Sequence, residues 1–257
     1  ADASGNSELN TIGRIVGGTA TATGAMTSDA SIDTLRLVKA QSLDLNSLSA
    51  GSTAKVVGIE RIVLAADDGR YTITLGSSAA TVFTNGVDIT GAGLQVADLR
   101  IDATGFTQSL IATGGDAADI ITGGSAGDSL TGGAGADTIT GGAGQDSLSG
   151  GSGNDTFVFS RGDTANLVNI NNADRITDLA VGDRIDLSGL GLTGKSQISV
   201  ENIGGANYLK VASLASSNED GYIRIDGALP GKFSAWTFNA GVLTVAPNTP
   251  PVITLPS

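Results

Sequence analysis

Short runs of apolar and β-branched residues alternate with turn residues along most of the chain. Before residue 110 they are "IDTLRLV" (32–38), "AKVVGIERIVLA" (54–65), "YTITL" (71–75), "ATVFT" (80–84) and "LRIDATG" (99–105). After residue 160 come "DRIDLSGL" (183–190), "QISVENI" (197–203), "YLKVA" (208–212), "GYIRIDG" (221–227) and "GVLTVA" (241–246). Runs of this length and content predict strands. No long segment keeps helical spacing, so the fold class is all-β. Asp67, Asp68 and Gly69, and Asn85 with Gly86, read as hairpin turns because these residues accept positive φ. Over residues 1–110 the spacing fits either a sandwich or an irregular β-solenoid, and pattern alone does not choose. Residues 160–247 read as a β-rich cap. The Pro-rich stretch 248–257 reads as a linker into a following module, so the chain is taken as a fragment of a larger protein.

Between these regions, within 111–159, a different beat takes over. Five nonapeptides run in succession: GGDAADIIT (114–122), GGSAGDSLT (123–131), GGAGADTIT (132–140), GGAGQDSLS (141–149) and GGSGNDTFV (150–158). Positions one and two are always Gly. Position six is always Asp, at Asp119, Asp128, Asp137, Asp146 and Asp155. Position eight is always large and apolar, at Ile121, Leu130, Ile139, Leu148 and Phe157. A flexible Gly/Ser linker has no reason to hold Asp at one phase and a large apolar residue at another. Glycine-rich hexads instead make turns, and the three residues that follow make a short strand with its middle side chain inward. Two nonapeptides then form one coil, and turns two repeats apart stack, bringing carboxylates and bare carbonyl oxygens to one gap.

Charge sharpens this picture. From Ile101 to Ser160 there are seven Asp and no Lys or Arg. So slim a core does not offset the repulsion and the ordering entropy without a cation. Crowded, flexible oxygen donors favour Ca²⁺ over Zn²⁺, and over Mg²⁺ with its tighter octahedron. The metal is then part of the fold.

The pattern GGxGxDxUx, with U a large apolar residue, resembles the nonapeptide of the RTX (repeats-in-toxin) family over residues 114–158. Three copies match in full, and two carry Ala117 or Ala126 at position four. The resemblance implies a short parallel β-roll in which the position-six aspartates and turn carbonyls bind Ca²⁺. Carried over, the ligands are Asp119, Asp128, Asp137, Asp146 and Asp155, with the turn glycines Gly115, Gly124, Gly133, Gly135, Gly142, Gly144, Gly151 and Gly153. "DRITDLAVGDRIDLSGL" (174–190) resembles the D-x-I-x-D-F piece that follows the roll in this family, with Leu179 where Phe is common. Asp174 and Asp178 then cap the last turn or ligate Ca²⁺; alternatively they are exposed turn residues. Asp116 and Asp163 sit beside turns and are weaker ligand candidates.

Composition removes several functions. A formal net charge of -12 argues against nucleic acid and anionic membranes. No apolar run of 18 residues suggests membrane insertion. The chain has no Cys and no His, which excludes thiolate and histidine zinc sites, the H-E-x-x-H helix of RTX proteases and a Ser-His-Asp triad. "GGSAG" (123–127) fits G-x-S-x-G with Ser125 as nominal nucleophile, but the repeat explains it and no base accompanies it. "FSAWTF" (233–238) holds the only Trp; strand alternation favours core packing over a sugar platform. No catalytic residue is assigned. The resemblance implies export from a Gram-negative bacterium by type I secretion and folding outside, where Ca²⁺ is abundant. The expected function is a calcium-binding structural or adhesive module of a surface protein, with Ca²⁺ and a cell-surface sugar, peptide or protein receptor as partners. The alternatives are an S-layer fragment and the secretion and folding module of an RTX enzyme whose catalytic domain lies elsewhere.

Overall fold

The computed structural model describes residues 33–37, 42–45, 59–64, 69–77, 79–81, 83, 85–95, 98–160, 170–212 and 220–247. Strands numbered in chain order account for its regular structure, with short 3-10 turns besides. Successive strands alternate between two sheets. In one lie β1 (Asp33–Leu37), β3 (Ile59–Leu64), β5 (Val87–Thr90), β7 (Leu110–Thr113), β9 (Ser129–Ala134), β11 (Ser147–Ser152) and β13 (Arg175–Ile176), all parallel. In the other lie β2 (Ser42–Asp44), β4 (Tyr71–Thr74), β6 (Leu99–Asp102), β8 (Ile120–Thr122), β10 (Thr138–Thr140), β12 (Thr156–Val158) and β14 (Arg184–Asp186), also parallel. The described N-terminal strands are therefore coils of the same solenoid as the repeats, which settles the choice the sequence left open.

The register explains why. Within the repeats Ser129 pairs with Ser147 and Thr138 with Thr156, so one coil is two nonapeptides. Position eight then forms one apolar row per sheet. Ile62, Ile89, Ala112, Leu130, Leu148, Ile176 and Ile225 stack on one side. Ile73, Ile101, Ile121, Ile139, Phe157, Ile185 and Leu243 stack on the other. All are at most 1 % exposed, so the core is one continuous strip between two sheets. Alternate residues face outward, as the pleat requires.

The far end is closed by a change of strand direction. β17 (Gly221–Ile225) joins β13 in parallel, and β16 (Ala206–Val211) and β15 (Ile198–Ile203) then pair antiparallel. In the second sheet β19 (Val242–Thr244) pairs antiparallel with β14, and β18 (Thr237–Asn239) with β19. These hairpins cover the last coil, whose open strand edges would otherwise invite another chain.

Three local expectations change. Ala79–Thr81 is a 3-10 turn rather than a strand: Phe83 N–H bonds back to the Ala79 carbonyl, and Phe83 packs edge-on to Phe106 at 6.4 Å. Gly86 does adopt φ +91°, but it turns a corner between the two sheets and not a hairpin. In the 233–238 segment a 3-10 turn precedes β18. Trp236 is 2 % exposed, donates Nε1–H to the Pro230 carbonyl and packs against Phe233, so the aromatics are core. Asp67 and Asp68 lie outside the described residues; Gly69 is exposed at φ +157°.

Phe157 is fully buried, whereas Ile120 is 40 % exposed on the same coils. Phe157→Ala is expected to cost about 3–5 kcal/mol and Ile120→Ala below about 1 kcal/mol in denaturant unfolding with calcium present.

Candidate metal centre

Each coil carries one residue at the start of each strand or just ahead of it, at the inner corner of the turn. In the N-terminal coils this corner is apolar: Tyr71 under Leu99 on one side, and Val87 under Leu110 on the other, all buried. In the nonapeptides the same corner is the position-six aspartate. One column then runs Asp119, Asp137, Asp155 and Asp183, and the other Asp128, Asp146 and Asp174. All seven are at most 3 % exposed.

A single hydrogen bond repeats up each column. Oδ1 of every aspartate accepts the backbone N–H of the corner residue one coil below. The donors to Asp119 and Asp128 are Leu99 and Leu110, at 2.7 and 2.8 Å. Asp119 donates to Asp137, Asp128 to Asp146 and Asp137 to Asp155, at 2.7, 2.8 and 3.0 Å. Asp146 donates to Asp174 and Asp155 to Asp183, both at 2.9 Å.

The second oxygen divides the turns into two kinds. In the first two, Oδ2 is satisfied inside its own hexad: Gly115 N–H donates to Asp119 at 2.6 Å and Gly124 N–H to Asp128 at 2.7 Å. These are the copies with Ala117 and Ala126, neither of which takes positive φ. In the next three, the second and fourth positions both have positive φ, for example Gly133 at +119° and Gly135 at +111°. An Ala at Gly135 would be strained and would set its Cβ 2.5 Å from the Ala117 carbonyl oxygen. With the backbone turned this way, the Oδ2 atoms of Asp137 and Asp146 are buried and accept no hydrogen bond, as is Oδ2 of Asp174 one coil further.

Carbonyl oxygen lies near the first glycine in both kinds of turn, as a Cβ on Gly114 would meet the Gly132 carbonyl at 2.0 Å and Asp119 Oδ2 at 2.2 Å. A Cβ built on Gly132 would lie 2.3 Å from Asp137 Oδ2 and 2.7 Å from the Gly150 carbonyl oxygen. A Cβ on Gly141 would lie 2.3 Å from Asp146 Oδ2. A buried carboxylate oxygen with no donor is costly unless a cation sits there. The donor set is oxygen only, which fits a hard ion such as Ca²⁺. No group of three or more acidic side chains that could hold a metal occurs among the described residues. Each turn contributes one carboxylate, and the backbone must supply the rest.

The electrostatics agree. Burial, with repulsion from Asp119 and Asp155, pushes the Asp137 carboxyl from 3.8 to about 7. Burial raises Asp128 to about 6, partly offset by its bonds from Gly124 and Leu110. Asp119, Asp155 and Asp183 are raised for the same first reason, the last two also by Asp178.

The outlying candidates separate. Asp174 is a full member of a column. Asp178 is not: it accepts from Ser149 Oγ and from the N–H groups of Gly150 and Gly151 at 2.6 to 3.0 Å, capping the fifth turn. Asp116 is exposed and Asp163 lies outside the described residues. Sequence reasoning missed Asp183, whose Oδ2 accepts from Ala180 N–H. The signal was present, because "DRI" occurs at 174–176 and again at 183–185, nine residues on. An insertion hides it: the corner step is 28 residues from Asp155 to Asp183, against 18 between repeats.

Two outcomes follow. Asp137→Asn is expected to lower the number of Ca²⁺ bound per chain in calorimetric titration. Asp119→Asn is expected to leave that number unchanged and to destabilise the fold by about 1–3 kcal/mol. Because folding raises the Asp137 carboxyl from 3.8 to about 7, the folded chain binds the extra proton. In chelator its contribution to stability is full below about pH 4 and lost as pH rises through about 7, read as falling melting temperature; excess calcium is expected to remove that loss.

Compared with known proteins, residues 113–148 and 122–157 match the model of the RTX calcium-binding nonapeptide repeat (4 copies). No curated protein matches the chain. The hexad turns, the eighteen-residue coil and this match agree, and residues 113–157 of the chain are RTX calcium-binding nonapeptide repeats.

Proposed function

We propose that this chain is a calcium-ordered, non-catalytic structural and adhesive module of a large extracellular surface protein, exported from a Gram-negative bacterium by type I secretion. The observation that carries the calcium part is the buried Oδ2 of Asp137, which accepts no hydrogen bond. Calcium would be held by Asp137, Asp146 and Asp155, with carbonyl oxygens of the turns that contain Gly133, Gly135, Gly142, Gly144, Gly151 and Gly153. Asp174 and Asp183 extend the two columns. Asp119 and Asp128, with Gly115 and Gly124, form hydrogen-bonded turns that join this segment to the apolar-cornered coils before it.

An ion that binds only the folded columns stabilises them in proportion to the logarithm of its concentration. Where calcium is scarce, the raised carboxyls and mutual repulsion leave the Gly turns unfavourable; where it is abundant, the segment locks. That behaviour suits a protein that must pass a narrow exporter unfolded and become rigid outside. The adhesive role is supported by the architecture, a stiff solenoid whose outer faces are free to vary because only inward positions make the core.

Chelation is expected to reduce the far-ultraviolet β signal and to broaden the backbone resonances of residues 132–158 first, with Ca²⁺ restoring both. Identical circular dichroism in EDTA and in roughly millimolar Ca²⁺ would remove the calcium part of this reading. Attachment of the parent protein's cells to a surface, lost on deleting this segment, tests the adhesive part.

A further inference from the structure

Basic and aromatic side chains gather at one place on the outer face of the first sheet. The register sets Ser147, Arg175, Arg224 and Tyr208 in a row across β11, β13, β17 and β16. Arg175 and Arg224 stand directly opposite each other, an arrangement in which like charges repel. Asp226 reconciles them, one oxygen accepting from Arg175 Nε at 2.7 Å and the other from Arg224 Nε at 2.8 Å. One carboxylate is thus shared by two cations, in a chain whose formal charge is -12. The contacts with Asp226 use only the Nε atoms. The arginine side chains are 45 % and 41 % exposed, so their Nη donors remain for a ligand.

These arginines line a cleft of about 400 Å³, together with Gln145, Asp146, Ser147, Asn171 and Tyr208, the Asp146 side chain being buried in its column. Gln145 donates Nε2–H to the Asn171 carbonyl at 2.8 Å, which fixes the amide and leaves its oxygen as an acceptor. Tyr208 is held edge-on by Tyr222, ring centroids 6.4 Å apart. Both tyrosines are half-buried on this face, while the third, Tyr71, is in the core.

We propose that this cleft binds a carboxylate-bearing sugar, such as a uronic acid residue of an acidic polysaccharide. The guanidinium groups match a carboxylate in shape and charge. Gln145 and Ser147 answer sugar hydroxyls, and the Tyr208 ring offers an amphipathic flank to the sugar's C–H face. Gln145 belongs to the fourth nonapeptide turn, so one wall of the cleft rests on the reading that calcium orders that turn.

The test uses the full chain saturated with Ca²⁺, titrated with D-glucuronate, D-glucose and triglutamate while backbone resonances are followed. Glucuronate is expected to shift signals of residues 145–147, 175, 208 and 224, with glucose at equal concentration leaving them in place. Arg175→Gln and Arg224→Gln are each expected to weaken glucuronate at least about tenfold, the weight of a charge-assisted pair, with the calcium-induced circular dichroism retained. Should either variant lose that dichroism, Tyr208→Ala supplies the comparison and is expected to weaken glucuronate as well. Equal binding of glucose, tighter binding of triglutamate, or unchanged glucuronate affinity in the folded variants would overturn the proposal. Glucuronate binding that persists without any calcium response in circular dichroism would overturn the calcium reading and leave the cleft standing.

Discussion

The bond on which the roll depends is the one from a corner N–H to the carboxylate of the coil above. Each such bond joins two coils at the place where the chain bends and its backbone leaves the sheet ladder. It also requires the carboxylate to be buried. A buried carboxylate is tolerable only if both oxygens are answered, and Oδ1 is answered by this bond. The rest of the repeat is arranged around the other oxygen.

Two answers for that oxygen coexist in adjacent turns. Where position four is Ala, the hexad keeps negative φ and the second residue's N–H closes onto Oδ2, as at Asp119 and Asp128. Where position four is Gly, the backbone turns over and no N–H closes onto Oδ2, as at Asp137. One methyl group thus separates a turn that satisfies itself from one suited to a cation. Placing the self-satisfied pair first has a structural consequence. Their Oδ1 atoms take N–H donors from Leu99 and Leu110, so an apolar-cornered solenoid passes into a carboxylate-cornered one without an unpaired layer.

The same inner geometry accommodates insertions because only corner and core positions are constrained. The step between stacked corners grows from 18 to 28 residues after the fifth repeat, yet Asp174 and Asp183 return to their columns and Ile176 and Ile185 to their rows. The antiparallel hairpins beyond them close both sheets. They also bring Arg224 and Tyr208 beside Arg175, residues far apart in the chain, to make the polar cleft.

The chain of residues by itself determined the repeat, its phase and its chemistry. A nine-residue beat with Gly, Asp and a large apolar residue at fixed positions admits few backbones, and each residue type there is dictated locally. Asp128, Asp137, Leu130 and Phe157 were legible for that reason. Tertiary structure decided what depended on pairing across variable distances. Tyr71, Leu99, Val87 and Leu110 occupy the same corner as the aspartates, but irregular coil lengths hide the shared phase. Asp183 was missed because an insertion breaks the count, and Asp178 became a cap because its oxygens meet Gly150 and Gly151. Whether Ala117 and Ala126 merely weaken the pattern or change the turn was likewise decided in three dimensions, by where a backbone N–H points once φ can no longer be positive.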